Sequence, residues 1–333
     1  MDKQPAENQK PARGLVVRGS RNLFTVRISS EKRELQCRIK GKVLKGVEGY
    51  YNPLVPGDLV EVEDGLILTL EKRRNEFVRF NQKGQAPQIL AANVDLVLCV
   101  TSLASPPWRP RFVDRALLQA DIAGIPAAII CNKYDLAGEE TGSSEAHIAD
   151  PDIEERLSDF ERIGYPVFRL SVLTGHGIPE LERFIRGKCS VLIGQSGVGK
   201  SSLVKALIPD LEIKTGAVNE KFDRGNHVTS QGILFELPAG NYGGNSGTRI
   251  IDTPGIRRFV PAGIGPDELI LYVREFAPLA GKCSYGLSCS HETEPGCKIL
   301  EAISAGVILE DRWDSFLRIR RELSGARDYP DND

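Results

Sequence analysis

The 333-residue sequence predicts a multi-domain α/β protein in which a small β-barrel precedes an open, helix-flanked sheet and a helical, metal-binding tail. Three observations predict it. The N-terminal region alternates apolar and polar residues at period two, the middle alternates continuous apolar runs with helical segments, and the tail gathers three cysteines and a histidine. The predicted boundaries are a polar, Pro-bearing tail over residues 1–12, the barrel over 13–79, the α/β domain over 80–262 and the metal-binding helical domain over 263–333.

The barrel strands are read in "GLVVRG", "LFTVRIS", "LQCRIKG", "DLVEVED" and "GLILTLEKR", separated by turn signals such as "NPLVPGD" and "EDG". Five short strands at this spacing fit an OB-type barrel, and an SH3-like barrel fits the pattern nearly as well. The net charge of −2 hides an asymmetry, because residues 13–79 hold 14 Lys/Arg against 9 Asp/Glu. The excess gathers at Arg18, Arg21, Arg27, Lys32, Arg33, Arg38, Lys40, Lys42 and Lys45, with few aromatics among them. A basic barrel on a near-neutral chain points to an anionic partner held through phosphates more than by base stacking.

From residue 92 the texture changes. "VDLVLCVTS", "PAAIICNK" and "CSVLIG" are apolar throughout, as strands covered on both faces must be. Between them lie the helical patterns "PRFVDRALLQADIAG", "PDIEERLSDFERIG" and "IPELERFIRG", and "KSSLVKALI" follows. "GILFELP" and "TRIIDTPG" supply the last strands. The stretch from Pro266 to Leu323 reads as helical, interrupted by Cys283-x5-Cys289-x-His291-x5-Cys297. Three thiols and an imidazole with no fifth ligand nearby suit one closed, tetrahedral, structural Zn²⁺.

Composition narrows the classes. No run approaches the roughly 18 apolar residues of a membrane span, and the polar N-terminus has no signal-peptide core. Cys37, Cys99, Cys131 and Cys189 are scattered singly, so the seven cysteines indicate a reducing, cytoplasmic setting over a disulfide framework.

The chemistry sits in four short stretches. Gly194, Gln195, Ser196, Gly197, Val198 and Gly199 lead into Lys200, Ser201 and Ser202 between an apolar run and a helical pattern. That context makes it a P-loop: backbone N–H groups curl around anionic oxygens, Lys200 reaches the β- and γ-phosphates, and Ser201 ligates Mg²⁺. Asp252 in "RIIDTPGI" is placed to hold the Mg²⁺ ion through water, and Gly255 to bring an N–H to the γ-phosphate. In "EKFDRGNHVTSQG", Thr229 is the candidate for a hydroxyl that meets Mg²⁺ when the γ-phosphate is present. Asn132-Lys133-x-Asp135 matches guanine: the carboxylate accepts from N1–H and the exocyclic amine, which adenine does not present. Asn132 braces the neighbouring loop, Lys133 lies over the base, and Ser171 with the N–H of Val172 in "LSVLTGHG" meets the guanine oxygen.

The base-reading stretch precedes the P-loop, so the usual GTPase order has been cut after the DTPG strand and rejoined. Strand neighbours and not chain order hold a sheet together, which makes a circularly permuted P-loop GTPase domain physically tolerable. The rearrangement wires the γ-phosphate-responsive segment after Asp252 straight into the metal-binding tail.

Small barrel, "NKYD", "SVLTGHG", "GQSGVGKSSL", "GNHVTS", "DTPGIRRF" and the Cys/His cluster together resemble the circularly permuted GTPases that depend on the small ribosomal subunit, factors of 30S maturation. The resemblance implies an OB-fold, a permuted GTPase domain, a zinc-bearing helical domain, and GTP hydrolysis stimulated by the 30S subunit and its rRNA. It also implies His227 as a substitute for a water-positioning Gln, since Ile256 follows DTPG here. The family often has Thr directly after that His, where this chain has Val228. The expected protein is a monomeric cytoplasmic GTPase acting as a checkpoint in late subunit maturation, with no membrane partner. A non-enzymatic GTP-sensing, RNA-binding scaffold is the alternative, and Asp135 counts against an ATPase or kinase.

Overall fold

The computed structural model describes residues 11–20, 22–31, 33–41, 47–136, 151–208, 232–238 and 247–325. They form two compact units. The first comprises Met1–Asp95, Ile185–Val191 and Leu207–Pro254, and the second Leu96–Phe184, Leu192–Ala206 and Gly255–Asp333.

In the first unit, β1 (Ala12–Ser20), β2 (Leu23–Ile28), β3 (Glu34–Ile39), β4 (Leu59–Glu63) and β5 (Leu66–Leu70) close a barrel. β1 pairs antiparallel with β2 and also with β4, β2 with β3, and β4 with β5, while β3 and β5 run parallel. This order, β1-β2-β3-β5-β4 and back to β1, is the Greek-key closure of an OB barrel. The SH3-like alternative is thereby set aside. Within the barrel β1 serves both β2 and β4 because its register shifts between Val16 and Arg18, the bend a bulge provides. Asp64 (φ 48°) and Gly65 (φ 73°) make the two-residue β4–β5 turn, in which both central residues need positive φ. Val16, Phe24, Val26, Ile28, Cys37, Leu54, Val60 and Ile67 fill the interior. The β6 (Glu76–Asn81) and β7 (Ala86–Ala92) hairpin follows, and β12 (Ile233–Glu236) pairs antiparallel with β13 (Arg249–Asp252).

In the second unit, β8 (Leu96–Ser102), β9 (Ala127–Asn132) and β10 (Val167–Arg169) are parallel neighbours, with Val97 opposite Ala127 and Ile129 opposite Val167. Every residue of β8 and β9 is buried, as the unbroken apolar runs require. The same holds for β11 (Cys189–Gly194), whose first half is counted with the other unit. Helices α1 (Pro110–Ile122), α2 (Pro151–Arg162), α3 (Ile178–Ile185) and α4 (Lys200–Leu207) alternate with these strands. The tail is a run of short 3-10 turns, then α5 (Lys298–Ser304) and α6 (Glu310–Leu323). No helix among the described residues is long and apolar enough to cross a membrane.

A buried charge network ties α1, α2 and α6. Asp114 accepts two hydrogen bonds from Arg156 at 2.9 Å and one from Arg312 at 2.6 Å. Arg312 also donates to Glu275 at 2.6 Å, and Arg156 to Asp311 at 2.6 Å. Burial works to raise the Asp114 pKa, but the two guanidinium groups outweigh it and hold the carboxyl below its ordinary range.

Candidate active site and metal centre

The second unit brings together "NKYD", "SVLTGHG", the Gly194–Gly199 loop and Gly255. Asn132, at the end of β9 and 1% exposed, donates from Nδ2 to the Val198 carbonyl at 2.9 Å. Its Oδ1 accepts from the Val172 N–H at 3.2 Å. One amide therefore braces the P-loop and the "SVLTGHG" loop at once. Ser171 is buried, and its hydroxyl accepts from the Thr174 N–H at 3.2 Å, which shapes that turn.

The loop Gly194–Gly199 has a backbone only glycine accepts at its end. Gly199 has φ +97°, and a Cβ there would lie 2.2 Å from Asn132 Nδ2. Lys200 is buried and folds back over the loop, donating to the Gly194 and Gln195 carbonyls at 2.9 and 2.8 Å. Ser201 and Ser202 begin α4 at exposed positions. Gly255 closes on the loop: a Cβ there would meet Ser196 backbone atoms at 2.7 Å, and the next N–H, of Ile256, donates to the Gly194 carbonyl at 3.1 Å.

Asp135 lies in a 3-10 turn, Tyr134–Leu136, which the Tyr134 N–H anchors to the Leu170 carbonyl at 3.0 Å. Its Oδ1 is buried with no hydrogen-bond partner among the described residues, a costly state for a carboxylate oxygen unless a ligand donates to it. Lys133 adopts φ 60° and its ammonium donates to the Ser105 carbonyl. Asp252 ends β13 in the first unit, three residues before Gly255. His227, Val228 and Thr229 lie outside the described residues.

Sequence reasoning missed the segment Leu103–Arg109 between β8 and α1. The Ser102 hydroxyl donates to the Pro106 carbonyl at 2.7 Å, and Pro106 Cδ would lie 3.6 Å from a Cβ on Gly197. Arg109 meets the side chain of Gln195. The only local signal was "SPPWRP", a proline-rich link between a strand and a helix.

The metal-ligand set is assembled. Cys283, Cys289, His291 and Cys297 are all buried, and their ligand atoms lie within 4.8 Å of one another. The Sγ atoms of Cys283 and Cys297 are 3.9 Å apart, and His291 Nδ1 lies 3.6 and 3.4 Å from them. A tetrahedral zinc with bonds of about 2.3 Å to sulfur and about 2.0 Å to nitrogen needs edges of roughly 3.8 and 3.5 Å. The donor set fits Zn²⁺ in chemistry and in size. Burial lowers the His291 pKa, aided by the charge of Arg320, which favours the neutral imidazole a metal needs. Around the ligands, Glu294 gathers the N–H groups of Ser290, Glu292 and Thr293. α6 grips the same loop, with Trp313 Nε1 donating to the His291 carbonyl at 2.8 Å and Arg320 to that of Ser290 at 2.6 Å.

Part of the basic excess of the barrel is neutralised. Arg27 pairs with Glu34 at 2.8 Å and Glu236 at 3.0 Å, and Arg33 pairs with Glu31. Arg18, Arg38 and Lys40 are exposed and make no ion pair among the described residues. Arg21, Lys32, Lys42 and Lys45 lie outside those residues.

The family model of the RsgA GTPase matches residues 70–260. A small ribosomal subunit biogenesis GTPase RsgA of Bacteroides fragilis is 33% identical over 312 residues, covering 92% of this chain and 95% of the relative. Its counterpart in Porphyromonas gingivalis is 34% identical over 327 residues, 96% of this chain and 99% of the other. Among solved structures, YjeQ from Thermotoga maritima superposes with a TM-score of 0.67 at 29% identity, over 96% of this chain and all of that one. The circularly permuted GTPase YloQ shares the fold, with a TM-score of 0.63 at 21% identity over 98% of this chain and 100% of its own.

Proposed function

This chain belongs to the RsgA GTPase family, and from that premise we propose that it binds the small (30S) ribosomal subunit and its rRNA in the cytoplasm. There it hydrolyses GTP as a checkpoint in late subunit maturation, slowly alone and faster on the subunit. The observation that carries the nucleotide reading is the Asn132 bridge between the P-loop and "SVLTGHG", beside a buried Asp135 oxygen that awaits a donor.

In this reading Asp135 accepts from guanine N1–H and the exocyclic amine, Lys133 covers the base, and Ser171 with Val172 N–H meets the guanine oxygen. The backbone from Gly194 to Gly199, with Ser202, cradles the phosphates. Lys200 exchanges its loop carbonyls for phosphate oxygens, and Gly255 contributes an N–H at the γ-phosphate. Ser201, Thr229 and Asp252 would hold Mg²⁺, which neutralises phosphate charge when bound. Ile256 is apolar and buried, so no side chain there orients water, and His227 is the proposed substitute.

Cys283, Cys289, His291 and Cys297 would hold one structural Zn²⁺ that fixes the tail loop. Exposed Arg18, Arg38 and Lys40 of the barrel face RNA phosphates. A change around Gly255 reaches the tail through the chain and through Glu322 of α6, which accepts from Arg258 at 2.8 Å and also from Arg115 of α1.

Multiple-turnover phosphate release with and without 30S particles tests the function, with Ser201→Ala as the control that should lose Mg²⁺-dependent turnover. Equal rates would remove the subunit gate, and no turnover at all would leave the scaffold reading. For the metal, wild type should carry about one Zn²⁺ per chain and Cys289→Ser should lose it. Metal-free purified wild type would reject the site.

A further inference from the structure

The segment before α1 touches the P-loop and the base loop at separate points. Lys133 holds the Ser105 carbonyl, Pro106 approaches Gly197, and Arg109 reaches Gln195. In the orientation that satisfies both atoms of its amide, Gln195 Oε1 accepts from Arg109 Nε at 3.3 Å and Nη1 at 3.2 Å. Gln195 is buried, and its main-chain carbonyl is one of the two that Lys200 holds. One P-loop residue is thus gripped through its side chain by Arg109 and through its backbone by the phosphate lysine.

The position of Arg109 is otherwise unfavourable. It is the N-cap of α1, makes no side-chain cap hydrogen bond, and the first turn holds no acidic residue. A cation at the positive end of a helix dipole costs free energy. A phosphate held in the loop that contains Gln195 would offset this cost.

We propose that Arg109 is a positioning residue for the nucleotide phosphates. It acts through Gln195 to hold the P-loop in its phosphate-binding shape. This rests on the GTPase reading above and adds to it a residue outside the four sequence motifs.

The test compares the affinities of GDP, GTP and guanosine for wild type, Arg109→Ala, Gln195→Ala and the double variant, by competition against a fluorescent guanine nucleotide. Arg109→Ala should weaken GDP and GTP alike by roughly tenfold, the scale of one charge-assisted hydrogen bond. Guanosine, which has no phosphate, should bind as before. KM for GTP should rise with kcat at saturation changed less than about twofold. Gln195→Ala should lose a similar factor, and the double variant no more than the worse single one, since both act through one contact. Unchanged GDP affinity in Arg109→Ala would overturn the proposal. So would an equal loss for guanosine, which marks general loosening, or full additivity in the double variant. If wild type itself shows no guanine preference, the GTPase reading fails before this one is reached.

Discussion

Gly199→Ala should uncouple the phosphate loop from the base loop with a single methyl group. At φ +97° a non-glycine residue costs on the order of 1–3 kcal/mol. The new Cβ would also lie 2.2 Å from Asn132 Nδ2 and must displace it. The Val198 carbonyl then loses its 2.9 Å donor, and a buried carbonyl left unsatisfied costs about 1–3 kcal/mol more. The loop can relax when no nucleotide holds it, so the cost falls mainly on affinity. Together the two terms amount to about 2–6 kcal/mol, or roughly 30-fold to more than 10⁴-fold in GDP affinity. Titration with a fluorescent GDP analogue reads it, with thermal melting as the folding control. A loss smaller than about threefold would mean that Gly199 tolerates a side chain and that the Asn132 bridge does not hold the loop.

Three further outcomes are expected. Asp135→Asn should cut GTP affinity by at least about 100-fold and raise that for xanthosine triphosphate, whose C2 carbonyl can accept from the new amide; an unaltered preference for GTP removes Asp135 from the base site. Asp114→Asn removes the buried carboxylate that Arg156 and Arg312 share, leaving them Asp311 and Glu275, and should cost about 3–5 kcal/mol, or roughly 6–20 °C in melting temperature, with a loss under about 1 kcal/mol refuting it. Because the Asp114 pKa is lowered, its stabilisation is present above the ordinary value of 3.8 and lost as pH falls below it, and the Asn variant should lack that part of the acid unfolding profile. Glu322→Ala, which removes the Arg258–Glu322 ion pair, should lower 30S-stimulated turnover several-fold while GDP affinity stays within about twofold; full stimulation in the variant would show that the tail signals by another route.

Much of this protein is legible in short stretches because the physics there is local. Strands covered on both faces must be apolar throughout, so β8, β9 and β11 announce themselves. A phosphate loop needs its glycines, lysine and serine in one stretch of backbone, and a tetrahedral metal needs ligands that one short loop can fold together. The permuted motif order is itself a property of the chain. Which barrel the first five strands close was open, because period-two patterning names a strand's inner face but not its neighbours. The β1–β4 and parallel β3–β5 pairings decided it. Asp114, Arg156 and Arg312 look like surface charges on three helices, and only packing brings them together in the interior. Likewise Arg109 and Gln195 are 86 positions apart, and neither carries a sign of the other. The sequence by itself determined the GTPase family, the candidate metal ligands and the order of barrel, GTPase region and Cys/His tail, since these depend on neighbours along the chain. Tertiary structure alone decided which charges are buried, how the barrel closes and which residues outside the motifs touch the P-loop, since these depend on neighbours in space.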